Sequence, residues 1–175
     1  MSNVNSLLGI NDIVLKKKIL SVHEHYDLEN LNGTKLGEAD GNLFQLPAKF
    51  AVIDTNGSQL MRLEGKVLSF HKQFTIYDNS GLELGTIKKK IAKLIGEEYW
   101  VEKNGVEFMR IYGNFTEHDY QIQVSGVQVA SVHKKWASMR DQLGVSITGE
   151  VDHRVVIGAV IAIEHVEVTQ RQQHQ

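Results

Sequence analysis

DHRVVIGAVIAIEHV, residues 152 to 166, decides the fold. Between Arg154 and Glu164 it runs for nine residues, Val155 to Ile163, without a polar side chain, in a chain that is 23% charged. A helix that crosses a bilayer needs about 20 apolar residues, so this run is too short to span one. Two readings remain. The β-branched residues Val155, Val156, Ile157, Val160, Ile161 and Ile163 favour a strand. Against that, Asp152 is a good N-cap, and Gly158, Ala159 and Ala162 are poor strand residues. A helix that is apolar on every side must be buried on every side, so the helical reading needs a container.

The rest of the chain supplies one. Turn-like tetrapeptides end in glycine at NLNG (30–33), DTNG (54–57), DNSG (78–81), EKNG (102–105) and QVSG (123–126), and successive glycines stand 24, 24, 24 and 21 residues apart. Asn-Gly and Ser-Gly pairs supply the positive-φ positions that hairpin turns need. An aromatic precedes each glycine by six or seven residues: Tyr26, Phe50, Phe74, Tyr99 and Tyr120. Two residues after each aromatic comes an aliphatic: Leu28, Val52, Ile76, Val101 and Ile122. Three residues after each glycine comes a further apolar residue: Leu36, Leu60, Leu84, Phe108 and Val129. The aromatic–x–aliphatic spacing is that of a strand, so each unit reads as a β-hairpin.

Five hairpins make ten strands, and DIVLKKKIL (12–20), GVSITG (144–149) and HVEVT (165–169) read as further strands. About a dozen strands leave exposed edges unless the sheet closes, and a barrel of that size leaves a hole wider than its own side chains fill. A helix with its side chains is about 10 Å across. The expected fold is therefore mainly β: a closed antiparallel barrel of roughly twelve strands enclosing a hydrophobic C-terminal helix at about 152–164. The alternative is a two-sheet sandwich in which the apolar run is a strand. The expected organisation is an N-terminal segment (1–12), one barrel domain (13–168) and a polar tail (169–175).

Composition narrows the function. The net charge is −2 and the pI is near 6.4, which argues against a general nucleic-acid binder. There are no cysteines, so a disulfide scaffold, a thiol nucleophile and a Cys-based zinc site are excluded. MSNVNSLLGIND has neither the basic nor the long apolar region of a signal peptide, and a cytoplasmic location is the default expectation.

FTIYDNSGLELGTIKKKI (74–91), YQIQVSGVQVASVHKKWASMRDQLGVSIT (120–148) and DHRVVIGAVIAIEHV (152–166) resemble the LURP-one-related family, within the Tubby C-terminal-like superfamily that includes phospholipid scramblases. The resemblance covers roughly residues 13 to 168. It implies a twelve-stranded barrel around a central helix, without an agreed enzymatic activity. In that superfamily, Tubby-like members bind phosphoinositides through basic residues, and scramblases are membrane-associated and calcium-responsive. Here the stretch corresponding to the scramblase calcium segment is RDQLGVSITGEVD, whose only acids are Asp141, Glu150 and Asp152. Calcium takes six to eight oxygens, so its binding is not expected. The helix is followed by His165, Glu167 and TQRQQHQ, not by an apolar tail, so no transmembrane segment is expected.

Three basic clusters stand out: Lys16-Lys17-Lys18, Lys88-Lys89-Lys90 with Lys93, and His133-Lys134-Lys135 with Arg140. The second and third fall seven to nine residues after Gly81 and Gly126, which predicts one shared end of the barrel. Lys88, Lys89, Lys90, Lys134, Lys135 and Arg140 are the candidate ligand-binding residues. Phosphates of anionic lipid headgroups would gain about 1 kcal/mol from each near a membrane surface. The competing reading is a solvated strand edge, where lysine blocks pairing.

His23 and His25 share a strand face, but spacing supplies no third metal ligand, so they read as exposed strand residues. Glu164 marks a barrel mouth, and if buried it needs a partner that the sequence does not name. Trp136 reads as a core or rim aromatic. No catalytic motif appears, and no catalytic residue, metal or cofactor is assigned. The expected function is a non-enzymatic module that binds anionic phospholipid or another phosphorylated ligand, peripherally at a membrane. The alternative is a protein-interaction or scaffold domain that ignores lipid.

Overall fold

In the computed structural model, which describes residues 6–20, 23–42, 45–66, 73–92, 96–134 and 142–173, the apolar run is a helix inside a closed barrel. The strands are β1 (Asp12–Leu20), β2 (His23–Glu29), β3 (Lys35–Asn42), β4 (Lys49–Asp54), β5 (Gln59–Gly65) and β6 (Gln73–Asp78). They continue as β7 (Glu83–Ala92), β8 (Gly96–Lys103), β9 (Val106–Asn114), β10 (Asp119–Val124), β11 (Val127–Lys134) and β12 (Gln142–Ile147). Each pairs antiparallel with its sequence neighbours, and β1 closes on β12 from Asp12↔Ser146 to Lys16↔Gln142.

The five glycine turns form two chemical groups. In the first three, Asn30, Asp54 and Asp78 each accept, at Oδ1, the backbone N–H groups of the residues two and four places on. In the last two, Asn104-Gly105 and Ser125-Gly126 both hold positive φ, the two-residue turn that matches strand twist.

All five hairpins then carry a β-bulge at one place. The register slips just after Leu28, Val52, Ile76, Val101 and Ile122. On the opposite strands, Leu36, Leu60, Leu84, Phe108 and Val129 are the residues left without a partner. The third repeating apolar position of the sequence is thus the extra residue of a bulge. Bulges bend a strand and increase its twist, which helps a sheet to close. The extra residues lie in or against the core.

α1 (His153–Gln173) enters at the hairpin-turn end and is buried from Val155 through Glu167. Asp152 caps it, accepting the Arg154 N–H at 2.9 Å. The barrel ladder uses up its own backbone groups. A segment threading it must therefore satisfy its own, which only a helix does. That requirement outweighs β-branched propensity. The helix also continues past 164 to Gln173, through HVEVT, which the strand reading misplaced. Glu164, His165 and Glu167 stay helical because each meets a polar partner inside the barrel mouth.

Candidate binding surface at the helix-exit end

The inward aromatics of the repeat form a girdle around the last buried turns of α1. Tyr26, Phe50, Phe74, Tyr99 and Tyr120 are all buried. Phe50 and Phe74 flank His165 edge-on at 5.3 and 5.4 Å. The three tyrosines each donate to a carboxylate: Tyr26 to Glu24, Tyr99 to Glu167 at 2.7 Å and Tyr120 to Glu164 at 3.3 Å. Burial first, and then the adjacent carboxylate, raise all three phenols above their ordinary pKa, so they remain donors. Glu164 also meets His118 Nδ1 at 3.0 Å, and Glu24 meets His165 Nδ1 at 2.7 Å and Lys17 at 2.8 Å. Burial alone would raise the Glu24 pKa. The His165 hydrogen bond and the Lys17 charge win, and hold it at about 2.

Lys16–Lys18, Lys88–Lys90 and Lys134 lie toward this same end, but they do not form one patch. Lys88 faces out and pairs with Glu102; Lys90 is exposed, 3.9 Å from Glu98. Lys89 alternates inward. It is 3% exposed and donates to Glu167 at 2.9 Å and Gln170 at 2.7 Å, with Glu97 at 2.9 Å. Its charge closes the girdle and is not presented outward with its neighbours. Lys16, Lys17 and Lys18 each pair across to β2, at Glu29, Glu24 and Asp27. Lys134 is exposed at the end of β11. Lys90 and Lys134 stand four strands apart in barrel order, roughly 19 Å along the wall. Lys135 and Arg140, with Lys93, Trp136 and Asp141, lie outside the described residues.

A groove of about 410 Å³ dents the outer wall beside this end, lined by His23, Asp40, Lys49, Arg62 and Glu64 among others. The short Ala51 gives it depth, since its ladder neighbours are Asp40 and Arg62. Arg62 is held by Glu64 at 3.2 Å and by the Tyr77 ring at 4.4 Å. Lys49 and Arg62 were not singled out in the sequence, because their approach depends on the register between β4 and β5.

His25 finds the neighbours that spacing could not give it: its Nε2 is 3.0 Å from Asp27, with Glu38 close by. Lys18 and Lys35 already sit on these carboxylates, at 2.5 and 3.0 Å from Asp27 and, for Lys35, 2.5 Å from Glu38. Desolvation opposes ionisation of Asp27, but the bonds from Lys18, His25 and Lys35 take its pKa well below the usual range. The group is a satisfied charge network, and a metal would have to displace two ammonium groups.

Among the described residues no helix is long and apolar enough to cross a membrane. No curated protein matches the chain. An X-ray structure of a protein from Arabidopsis thaliana superposes with a TM-score of 0.65 over 89% of this chain and 91% of that one, at 18% identity, which speaks to the fold alone. The family model described as LURP-one-related matches residues 11–164, from the start of the barrel to the last buried turns of its helix, and the chain belongs to that family.

Proposed function

We propose that this barrel is a non-enzymatic binding module whose helix-exit end meets anionic phospholipid headgroups, or another ligand carrying phosphate, at a cytoplasmic membrane surface. The filled interior supports the non-enzymatic part, since α1 occupies the space where a barrel enzyme would hold substrate. The family and the fold fit a non-catalytic binding role.

One observation carries the ligand class. Among the described residues, Lys49, Lys66, Lys103, Lys134 and Arg171 have no carboxylate partner, and all of these except Lys103 lie at the exit end. Lys49 also lines the groove, with Arg62 and His23 as further donors. Lys90 is loosely held at the same end, Lys88 is paired with Glu102, and Lys135 and Arg140, which lie outside the described residues, remain candidates from the sequence. At about 1 kcal/mol for each lysine near an anionic surface, such a set gives weak, salt-sensitive attachment.

The test is co-sedimentation with phosphatidylcholine vesicles, with and without phosphatidylserine, across a salt series. Binding should need phosphatidylserine, fade with salt and fall in a Lys49→Glu/Lys134→Glu variant. A soluble inositol phosphate that competes would point to headgroup phosphate as the ligand. Absence of sedimentation at low salt would remove the lipid reading.

A further inference from the structure

The opposite end of the barrel has the reverse character. Leu82, Val106 and Val127 each directly follow the turn glycine of a hairpin, and are 57%, 67% and 65% exposed. Their hairpins, β6–β7, β8–β9 and β10–β11, are consecutive around the barrel. The three apolar tips therefore form an arc along one rim, spaced roughly 10 Å apart. Single exposed apolar residues are ordinary, but one repeat position apolar and exposed on three adjacent hairpins is an arranged surface. Between the second and third tips lies a groove of about 240 Å³, lined by Glu107, Phe108, Arg110 and Gln123 with the Ser125–Gly126 turn.

Charge at this end is sorted as sharply. Among the described residues, Asp12, Asp54, Asp78, Glu83 and Glu150 at the hairpin-turn end have no cationic partner within ion-pair distance, and at the helix-exit end Glu117 has none. Lys103 is the unpaired cation there. Glu83 directly follows Leu82, and Glu107 directly follows Val106. The surface is thus apolar at its tips and negative between and behind them. An anionic bilayer would be repelled by it. A protein segment with apolar side chains on one face and lysine or arginine beside them fits both features.

We infer that the hairpin-turn rim is a docking surface for a cationic amphipathic protein segment. Its apolar face covers Leu82, Val106 and Val127, and its basic residues meet Glu83 and Glu150, whereas Glu107 is already paired with Arg110 at 3.5 Å. The inference is independent of the lipid reading, which concerns the other end.

The experiment titrates the full chain with a labelled amphipathic leucine–lysine peptide, using a leucine–glutamate peptide of the same pattern as control. The leucine–lysine peptide should bind and the control should not. A Leu82→Ser/Val106→Ser/Val127→Ser variant keeps every charge and should weaken binding by about tenfold or more. The Lys49→Glu/Lys134→Glu variant should bind the peptide no more weakly than the parent chain. An unchanged melting temperature for the serine variant shows that it is folded. No binding, binding that survives the three serines, or vesicle capture that depends on the same three residues would overturn the inference.

Discussion

Glu24 is fully buried and takes a hydrogen bond from Tyr26, a contact with His165 and the charge of Lys17. Its carboxyl is held at about 2, against 4.5 for a free one. A group depressed in the folded state stabilises above its unfolded value and loses that stabilisation as pH falls toward the folded one. The contribution is about 3 kcal/mol at neutral pH and disappears between about pH 4.5 and pH 2. Chemical denaturation across that window should show stability falling with acid, and Glu24→Gln should start lower at neutral pH and fall less steeply. Tyr120→Phe should cost about 1–3 kcal/mol by removing a donor from buried Glu164, read as a shift in denaturant midpoint. The sequence held a sign of these partners. Where the repeat aromatic is Tyr, a carboxylate lies beside it; where it is Phe, His165 lies there. The pairing itself was hidden, because Tyr120 and Glu164 are 44 residues apart and only the closed barrel joins them. Lys89 was legible by alternation. On a strand, the middle of three consecutive lysines faces away from its flanks, so Lys88–Lys90 was never one patch.

At the scale of the element, α1 fits the barrel tightly at Gly158. A Cβ there would stand 2.9 Å from Ile76 Cδ1, and Ile76 is itself buried on β6, opposite the bulge at Leu84. Gly158→Val should therefore destabilise by about 1–3 kcal/mol, despite valine's better helix propensity. Ile76→Ala should be less costly in that background than in the parent chain, a coupling that a double-mutant cycle by denaturant titration measures directly. Ala159→Asp places an unpaired charge among fully buried neighbours and should abolish cooperative folding, seen as a lost thermal transition. The barrel and its helix were legible because the apolar run had to be enclosed and the glycine repeat supplied the enclosure. The helix end was not. Val166, Val168 and Thr169 favour a strand locally, and only the partners inside the mouth keep the chain helical. The bulges were half legible: the third apolar position recurred, but what set it apart was a register slip that no single strand reveals.

For the whole molecule, a net charge of −2 conceals a separation. Among the described residues, unpaired acids other than Glu117 gather at the hairpin-turn end and unpaired lysines other than Lys103 at the helix-exit end, so the overall balance describes neither end. A chain lacking residues 153–175 would keep every strand and lose what they wrap. It should melt without a cooperative transition and bind the dye ANS, as collapsed but unpacked states do. The helix is also the element that follows all twelve strands in the chain. A ribosome making this protein releases every wall of the container before its contents. Until Val155–Glu167 emerges, the nascent strands carry inward faces with nothing to cover, even once β12 is out to close on β1. Synthesis thus defers packing of the barrel until its helix has emerged, and the chain before that point is the form most in need of a chaperone.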